Sequence, residues 1–172
     1  MSKLKLPVSE RDHAEGAADA PITLVEYGDY ECPHCGRAYP IVKEVQRVFG
    51  KRLRFVFRNF PLGEMHPHAE HAAEAAEIAG GMGKFWPMHD ILFERQGSLG
   101  DSSLGEYAGK LGLDAKVFHQ KLAAHEAEAR VKEDFLSGVK SGVNGTPTFF
   151  INGLRYDEPW DLETLSAALE KI

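Results

Sequence analysis

Apolar residues alternate with polar ones, or fill short uninterrupted runs, in four stretches of the chain, and each stretch predicts a β-strand. Residues 22–27 form an apolar, β-branched run that suits a buried strand. Residues 53–60 alternate with a period of two, which predicts a second strand. Residues 148–151 and 154–156 flank Asn152-Gly153, a strong two-residue hairpin signal.

Helical spacing of apolar residues fills most of the chain between these strands. A helix is predicted from Pro33, a favoured first helical residue, to a cap at Gly50, with a kink at Pro40. Six further helices are predicted. Two cover residues 68–78 and 84–95, and a third begins at a capping box of Ser103 and Glu106. The fourth begins near Asp114, the fifth contains Val131 to Val139, and the sixth follows Asp161.

The order of these elements predicts an α/β fold with a mixed sheet of four or five strands and an inserted helical lobe. We expect a polar N-terminal arm at residues 1–21. The sheet-containing domain then comprises residues 22–60 and 143–172, and an inserted helical subdomain comprises residues 61–142.

Charge and length exclude several classes of function. The 172 residues carry 20 Lys and Arg against 26 Asp and Glu, so the net charge of -6 provides no broad basic surface for nucleic acid or anionic lipid. No apolar run approaches the ~20 residues that span a bilayer, and residues 1–6 lack the apolar stretch of a secretory signal. We therefore expect no membrane insertion and a cytoplasmic location for the chain as written, or the periplasm or cell envelope if it is a mature or excised fragment.

The two cysteines, Cys32 and Cys35, lie three residues apart where the first helix begins. Their Cβ atoms are neighbours on a helical turn, so the pair can close as a disulfide or lie open as a dithiol. Free N–H groups at the helix start stabilise a thiolate on Cys32 and lower its pKa. His34 is expected to add to this when it is protonated or donates, whereas Asp29 and Glu31 oppose it.

Two other interpretations of the cysteine pair are a zinc half-site and a pair of inert core thiols. The zinc site would need further ligands, for instance from residues 66–71. A pair that follows a hydrophobic strand and opens a helix is typical of redox chemistry, which favours a reactive dithiol. His66, His68 and His71 are expected to form a solvated helix start, so no metal site is predicted.

Glu26 stands in the middle of the first predicted strand, where burial would raise its pKa and let it exchange a proton with Cys35. A solvent-facing glutamate, or one paired with an arginine, explains the strand position equally well. Phe85, Trp86 and Phe93 are aromatic residues in a predicted helix, and they could line a peptide-docking surface or lie in the core. A core position is favoured for at least Phe85.

Several motifs together resemble the DsbA-like thiol-disulfide oxidoreductases of the thioredoxin superfamily. They are CPHC at residues 32–35 with Glu26 six residues earlier, FRNFPL at 57–62, GKFW at 83–86 and GTPTFFING at 145–153. The resemblance covers nearly the whole chain after the arm. It implies a thioredoxin fold, formed by residues 22–60 and 143–172, with an inserted helical domain.

The resemblance also assigns roles to residues. It implies Cys32 as the attacking and Cys35 as the resolving cysteine, with Pro33 and His34 between them. It implies Glu26 as a buried acid and Thr146-Pro147 as a cis-proline loop beside the cysteines, where backbone can pair with substrate.

The function expected from this resemblance is exchange of the CPHC dithiol or disulfide with protein substrates through a mixed disulfide. The partners are then protein or peptide thiols and disulfides and an electron donor or acceptor of unknown identity. No cofactor is expected besides the Cys32–Cys35 disulfide, and the chain is expected to be a monomer. Domains of this kind also occur appended to membrane transporters, so a non-catalytic redox-sensing or regulatory domain is the alternative, and a zinc-stabilised binding module is a third.

Overall fold

The computed structural model describes residues 2–172. Five strands within this range form one mixed sheet. The strands are β1 (His13–Glu15), β2 (Ile22–Gly28), β3 (Leu53–Asn59), β4 (Thr148–Ile151) and β5 (Leu154–Tyr156). Their order across the sheet is β1-β3-β2-β4-β5. The central strand β2 pairs in parallel with β3 and antiparallel with β4, so the sheet is mixed as predicted.

Seven α-helices surround this sheet within the described residues, and five of them lie between β3 and β4 in the sequence. The helices are α1 (Pro33–Phe49), α2 (Ala69–Gly81), α3 (Phe85–Glu94), α4 (Asp101–Lys110), α5 (Ala115–Ala123), α6 (Glu128–Lys140) and α7 (Leu162–Glu170). None of these helices is both long enough and apolar enough to cross a membrane. The predicted α/β class with inserted helices is confirmed.

Local signals placed most helix ends and the hairpin correctly, with one error. The Asp114 carboxylate accepts from the first free N–H groups of α5, and Asp161 does the same for α7. Asn152 and Gly153 have φ angles of 47° and 83°, as a two-residue hairpin turn requires. The predicted capping box is wrong, because α4 begins at Asp101 with Gly100 as its N-cap and Ser103 already lies inside the first turn.

The N-terminal arm supplies an element that the sequence does not predict. Strand β1 pairs antiparallel with the edge of β3. Its three residues are too few to show an apolar alternation. Beside it, Asp12 accepts two hydrogen bonds from the buried guanidinium of Arg58, with Nε 2.8 Å from Oδ1. The arm therefore satisfies a buried charge of β3 as well as its edge.

The two faces of the sheet carry separate apolar clusters. Leu24 and Phe55 face the larger cluster, which includes the buried side of α1 and both Phe85 and Phe93, so these two aromatic residues belong to the core. Trp86 is partly buried against the same cluster. Since side chains alternate along a strand, Glu26 points to the same face as Leu24, beneath α1.

Candidate active site

The CPHC segment forms the first turn of α1. Cys32 occupies the N-cap position, with its N–H donating to the Asp29 carbonyl at 3.1 Å, and Pro33 is the first helical residue. The side chains of Pro33 and His34 are exposed, whereas Cys35 is fully buried. Both cysteines are free thiols in this structure. Cys32 is also buried, with 4% of its surface exposed against none for Cys35, so the segment leaves the Cys32 sulfur at the helix start as the more accessible of the two.

The pKa of the Cys32 thiol is lowered to about 5, from an ordinary value of 9.0. The largest cause is a hydrogen bond that the Cys35 thiol donates to the Cys32 sulfur. Burial opposes this effect, while the Thr146 side chain and the backbone N–H groups of Cys35 and His34 add to it. The helix start thus stabilises a thiolate at neutral pH, as the sequence predicts.

Cys35 shows the opposite behaviour. Burial raises the pKa of its thiol well above the ordinary value, and its hydrogen bond to Cys32 and the nearby charge of Glu26 raise it further. A buried thiol that donates to its neighbour keeps its proton while the neighbour is an anion. The two sulfurs are therefore chemically distinct before any substrate arrives.

The polar neighbours of the pair act differently from what their positions in the sequence predict. The His34 backbone N–H lowers the pKa of Cys32, whereas the His34 ring accepts a hydrogen bond from Arg37 at Nδ1. Asp29 and Glu31 direct their carboxylates at the loop after β3. In that loop Asp29 accepts from the N–H of Leu62 and bonds to the ring of His66, and Glu31 accepts from the N–H of His68 and bonds to its ring. Asp29 also accepts from the N–H of Glu31 at 2.8 Å.

Glu26 is buried, with 2% of its surface exposed. Its Oε2 atom has no hydrogen-bond partner among residues 2–172. Burial, and secondly the charge of Cys32, raise its pKa from 4.5 to about 8. Of the interpretations that the sequence leaves open, the buried position is the one observed; the solvent-facing glutamate is wrong, and no arginine among residues 2–172 forms an ion pair with Glu26.

Gly28 makes room for this carboxyl. A Cβ atom at residue 28 would lie 2.8 Å from Glu26 Oε2 and 2.5 Å from Phe57 Cε2, well inside normal contact distances. The sequence shows Gly28 only as the end of a strand. The structure adds that any larger residue there would displace the acid or the ring that packs beside it.

The Thr146–Pro147 segment lies beside the Cys32 sulfur. The peptide bond between these residues is cis. The Cys32 thiol donates to the Thr146 carbonyl oxygen at 3.6 Å. The Thr146 hydroxyl has no hydrogen-bond partner within the described chain, and it lowers the pKa of Cys32 because it donates to the sulfur once that sulfur is a thiolate.

Gln96 connects the helical insertion to the CPHC segment, and no signal in the sequence singles it out. It follows α3, and its amide Nε2 donates to the carbonyls of Tyr30 and Cys32 at 2.9 and 2.7 Å. A Cβ atom at Gly36 would collide with the Gln96 side chain. The insertion thus holds the loop before Cys32 in place through one amide group.

The three histidines between residues 66 and 71 do not act as a group. His66 bonds to Asp29, His68 bonds to Glu31, and His71 bonds to Asp101 on α4. Among the described residues, the one set of three metal-binding side chains close enough to share an ion consists of His71, Glu74 and His125. Neither cysteine is part of it.

Comparison with known proteins places this geometry in context. A sequence-family model described as Thioredoxin matches residues 8–171. The Na(+)/H(+) antiporter NhaA 1 of Salinispora arenicola is 47% identical over 167 residues, which cover 96% of this chain and 26% of that protein. The antiporter NhaA of Herminiimonas arsenicoxydans is 42% identical over 168 residues, which cover 97% of this chain and 27% of that protein. The chain thus spans only about a quarter of the length of these relatives.

Several solved structures share this fold along almost their whole length. Oxidised BdbD from Bacillus subtilis superposes with a TM-score of 0.87 at 24% identity, covering 99% of this chain and 97% of that one. A thioredoxin-like oxidoreductase from Silicibacter pomeroyi superposes with a TM-score of 0.82 at 26% identity, covering 95% and 92%. Alpha-DsbA1 from Wolbachia pipientis gives 0.83 at 19% identity, covering 98% and 93%. The expected DsbA-like thioredoxin fold with its helical insertion is confirmed.

Proposed function

The chain belongs to the thioredoxin family, and on that premise we propose that it is a DsbA-like thiol-disulfide oxidoreductase. In this proposal the CPHC dithiol or disulfide exchanges with protein or peptide substrates through a mixed disulfide. The observation that carries it is the contrast between the two sulfurs: the pKa of Cys32 is lowered to about 5, while the pKa of the buried Cys35 is raised.

The reduced chain would act by two successive exchanges. The Cys32 thiolate attacks a substrate disulfide, forms a mixed disulfide and releases one substrate sulfur as a thiolate. Cys35 then loses its proton and attacks the Cys32 sulfur, which closes the Cys32–Cys35 disulfide and releases the second substrate thiolate. Two electrons pass to the substrate, and the CPHC pair is oxidised. The oxidised chain runs the same steps in reverse.

Glu26 is the proposed proton carrier for the second exchange. Its carboxylate accepts the Cys35 proton during closure of the disulfide, directly or through water, and its carboxyl returns a proton to the leaving Cys35 sulfur in reverse. A pKa of about 8 suits both directions at neutral pH, because both protonation states are accessible. A carboxyl with an ordinary pKa of 4.5 would hold almost no proton to return.

Substrate is proposed to bind beside Thr146 and Pro147. Backbone next to the attacking sulfur offers an extended peptide the pairing of an added strand, which positions a disulfide in line with Cys32. His34 and Pro33 are exposed at the same helix start and would contact the substrate around its cysteine. This mechanism uses no cofactor other than the redox-active Cys32–Cys35 disulfide.

Trapping of the intermediate tests the proposal. Cys35→Ser chain mixed with a peptide disulfide should accumulate a mixed disulfide on Cys32, which mass spectrometry detects and dithiothreitol reverses. Cys32→Ser should form none under the same conditions. A mixed disulfide that forms equally on either variant would remove the assignment of roles.

A redox-regulatory domain is the second candidate, and the antiporter relatives favour it specifically. The chain aligns with about a quarter of the length of proteins that are named Na(+)/H(+) antiporters. The same disulfide is therefore a candidate signal to an attached transporter. Multiple-turnover reduction of insulin separates the two candidates. An oxidoreductase continues for many turnovers with a reductant present, whereas a regulatory domain stops after one equivalent.

A further inference from the structure

A second chemically distinctive region lies in the helical insertion, outside the CPHC site. It is a cavity of about 630 Å³ between the loop after β3 and the helices α2 and α6. Its wall contains the His71, Glu74 and His125 side chains together with several further acidic residues. We call these three residues the His-Glu-His cluster.

The cluster is assembled from two parts of the chain. His71 and Glu74 lie three residues apart on α2, so their side chains project from one face of the helix. His125 follows α5 and has a φ angle of +53°, an uncommon conformation for a residue with a side chain. One ligand atom from each residue lies within 4.8 Å of the others.

The spacing within the cluster suits two ligands of one small cation. A tetrahedral zinc ion with bonds of about 2.1 Å separates its ligand atoms by about 3.4 Å. Nδ1 of His125 lies 3.2 Å from each carboxylate oxygen of Glu74. The ligand atom of His71 lies within 4.8 Å of those of Glu74 and His125. Since the His71 side chain is 40% exposed, its ring has room to move closer to them.

Hydrogen bonding around the cluster prepares His71 as a ligand. Its Nδ1 bonds to Oδ1 of Asp101 at 2.8 Å. A histidine that donates Nδ1–H to a carboxylate presents the lone pair of Nε2, which is the usual outer-shell arrangement of a metal-binding histidine. The Asp101 carboxylate thus fixes the tautomer that a cation needs.

Glu74 gives the cluster a buried negative charge. Only 3% of its surface is exposed, and His125 is its one ion-pair partner among residues 2–172. A carboxylate this deep needs a positive partner, since a buried and unpaired charge is costly. A histidine supplies that charge only when protonated, whereas a divalent cation bound to neutral histidines brings the positive charge itself.

The rest of the cavity wall is largely apolar, and its charged residues are mainly acidic. The one lysine in it, Lys132, pairs with Glu128, which leaves two further glutamates, Glu64 and Glu70, to set the charge of the wall. A cavity with this balance attracts cations rather than anions.

We propose that His71, Glu74 and His125 bind one divalent cation of the zinc type, with its remaining coordination position open to the cavity. Two imidazoles and a carboxylate are a ligand set that zinc takes when it keeps one position for water or another ligand. The ion would tie the turn after α5 to α2 and replace the bare contact between Glu74 and His125.

Zinc titration of the full chain tests this proposal. The titration uses the Cys32→Ser/Cys35→Ser chain, so that the active-site sulfurs cannot bind zinc and the outcome is independent of the proposed redox function. Calorimetry should give one Zn²⁺ per chain, and saturation with Zn²⁺ should raise the Tm. Co²⁺ should bind at the same stoichiometry and show the visible absorption of a four- or five-coordinate ion.

Single substitutions identify the ligands. His71→Ala, Glu74→Gln and His125→Asn, each in the double-serine background, should weaken Zn²⁺ binding at least tenfold, which is the smallest loss usual even for outer-shell partners. Asn tolerates the left-handed backbone at residue 125. His119→Ala removes an exposed histidine of α5 that is outside the cavity, and it should bind Zn²⁺ as the parent does.

Three results would overturn the proposal. These are substoichiometric Zn²⁺ binding by the double-serine chain, equal affinity in the three cluster variants, or the same loss in His119→Ala. Because His71 is partly exposed, His71→Ala decides the question even if Glu74→Gln does not fold.

Discussion

Replacement of Glu26 by glutamine provides the sharpest test of the buried acid. The pKa of this carboxyl is about 8 in the folded chain, against 4.5 for an ordinary glutamate. The folded state therefore binds more protons than the unfolded state over this range, and stability falls as pH rises through it. With about 1.4 kcal/mol per pKa unit, Glu26 destabilises the fold by about 1 kcal/mol at pH 5, about 3 kcal/mol at pH 7 and about 5 kcal/mol at pH 9.

Glu26→Gln removes this ionisation while it keeps the shape of the side chain. The free energy of unfolding of the variant should therefore exceed that of the parent by an amount that grows by about 4 kcal/mol between pH 5 and pH 9. Oε2 has no hydrogen-bond partner in the described chain, so an amide in its place changes the free energy of unfolding by an amount that does not depend on pH. Urea unfolding of both reduced proteins at several pH values measures the difference.

The matched control is Glu94→Gln, which makes the same chemical change at an exposed residue at the end of α3. Its free energy of unfolding should follow that of the parent at every pH. If the difference between Glu26→Gln and the parent stays constant from pH 5 to pH 9, Glu26 ionises as an ordinary carboxyl and the reasoning fails. In single-turnover exchange, Glu26→Gln should slow release of the mixed disulfide more than its formation.

Four further predictions concern the sulfurs and the space around the acid. The rate of alkylation of Cys32 by iodoacetamide should reach half its maximum near pH 5, since only the thiolate reacts, and a midpoint above pH 8 would contradict the lowered pKa. Cys35→Ala should raise that midpoint because the largest stabilising hydrogen bond is lost. Thr146→Val should raise it by about half to one pH unit, the equivalent of one hydrogen bond; an unchanged midpoint would exclude the hydroxyl. Gly28→Ala should lower the free energy of unfolding by about 1–3 kcal/mol through crowding of Phe57, measurable in the same urea experiment, and a neutral result would show that the ring moves freely.

The features that the sequence predicts correctly depend on neighbours along the chain. The start of α1 at Pro33, its end at Gly50 and the caps at Asp114 and Asp161 are all set by residues within one or two turns. The thiolate at Cys32 belongs largely to the same class, because the Cys35 thiol that stabilises it most, and the N–H groups of Cys35 and His34 that add to this, come from the next three residues. Local chemistry of this kind can be read directly from residue order.

The features that the sequence does not predict depend on residues far apart in the chain. Strand β1 exists because the edge of β3 offers hydrogen bonds and Arg58 needs Asp12, and neither fact shows in the sequence around residue 13. The amide of Gln96 reaches the Cys32 carbonyl only after the insertion has folded against the sheet. His71 finds Glu74 on its own helix, but His125 joins them only through the packing of α5.

The difference between the two sulfurs follows from where α1 begins above the sheet. Because the helix starts at residue 33, Cys32 receives the free N–H groups of its first turn and the Thr146 side chain. One turn later, Cys35 faces the buried layer that contains Glu26. A start shifted by one residue would rotate the pair by about 100° relative to the sheet, and neither sulfur would keep its environment. The chemistry of the pair is therefore a consequence of helix register over the central strand, and the spacing of the cysteines alone does not determine it.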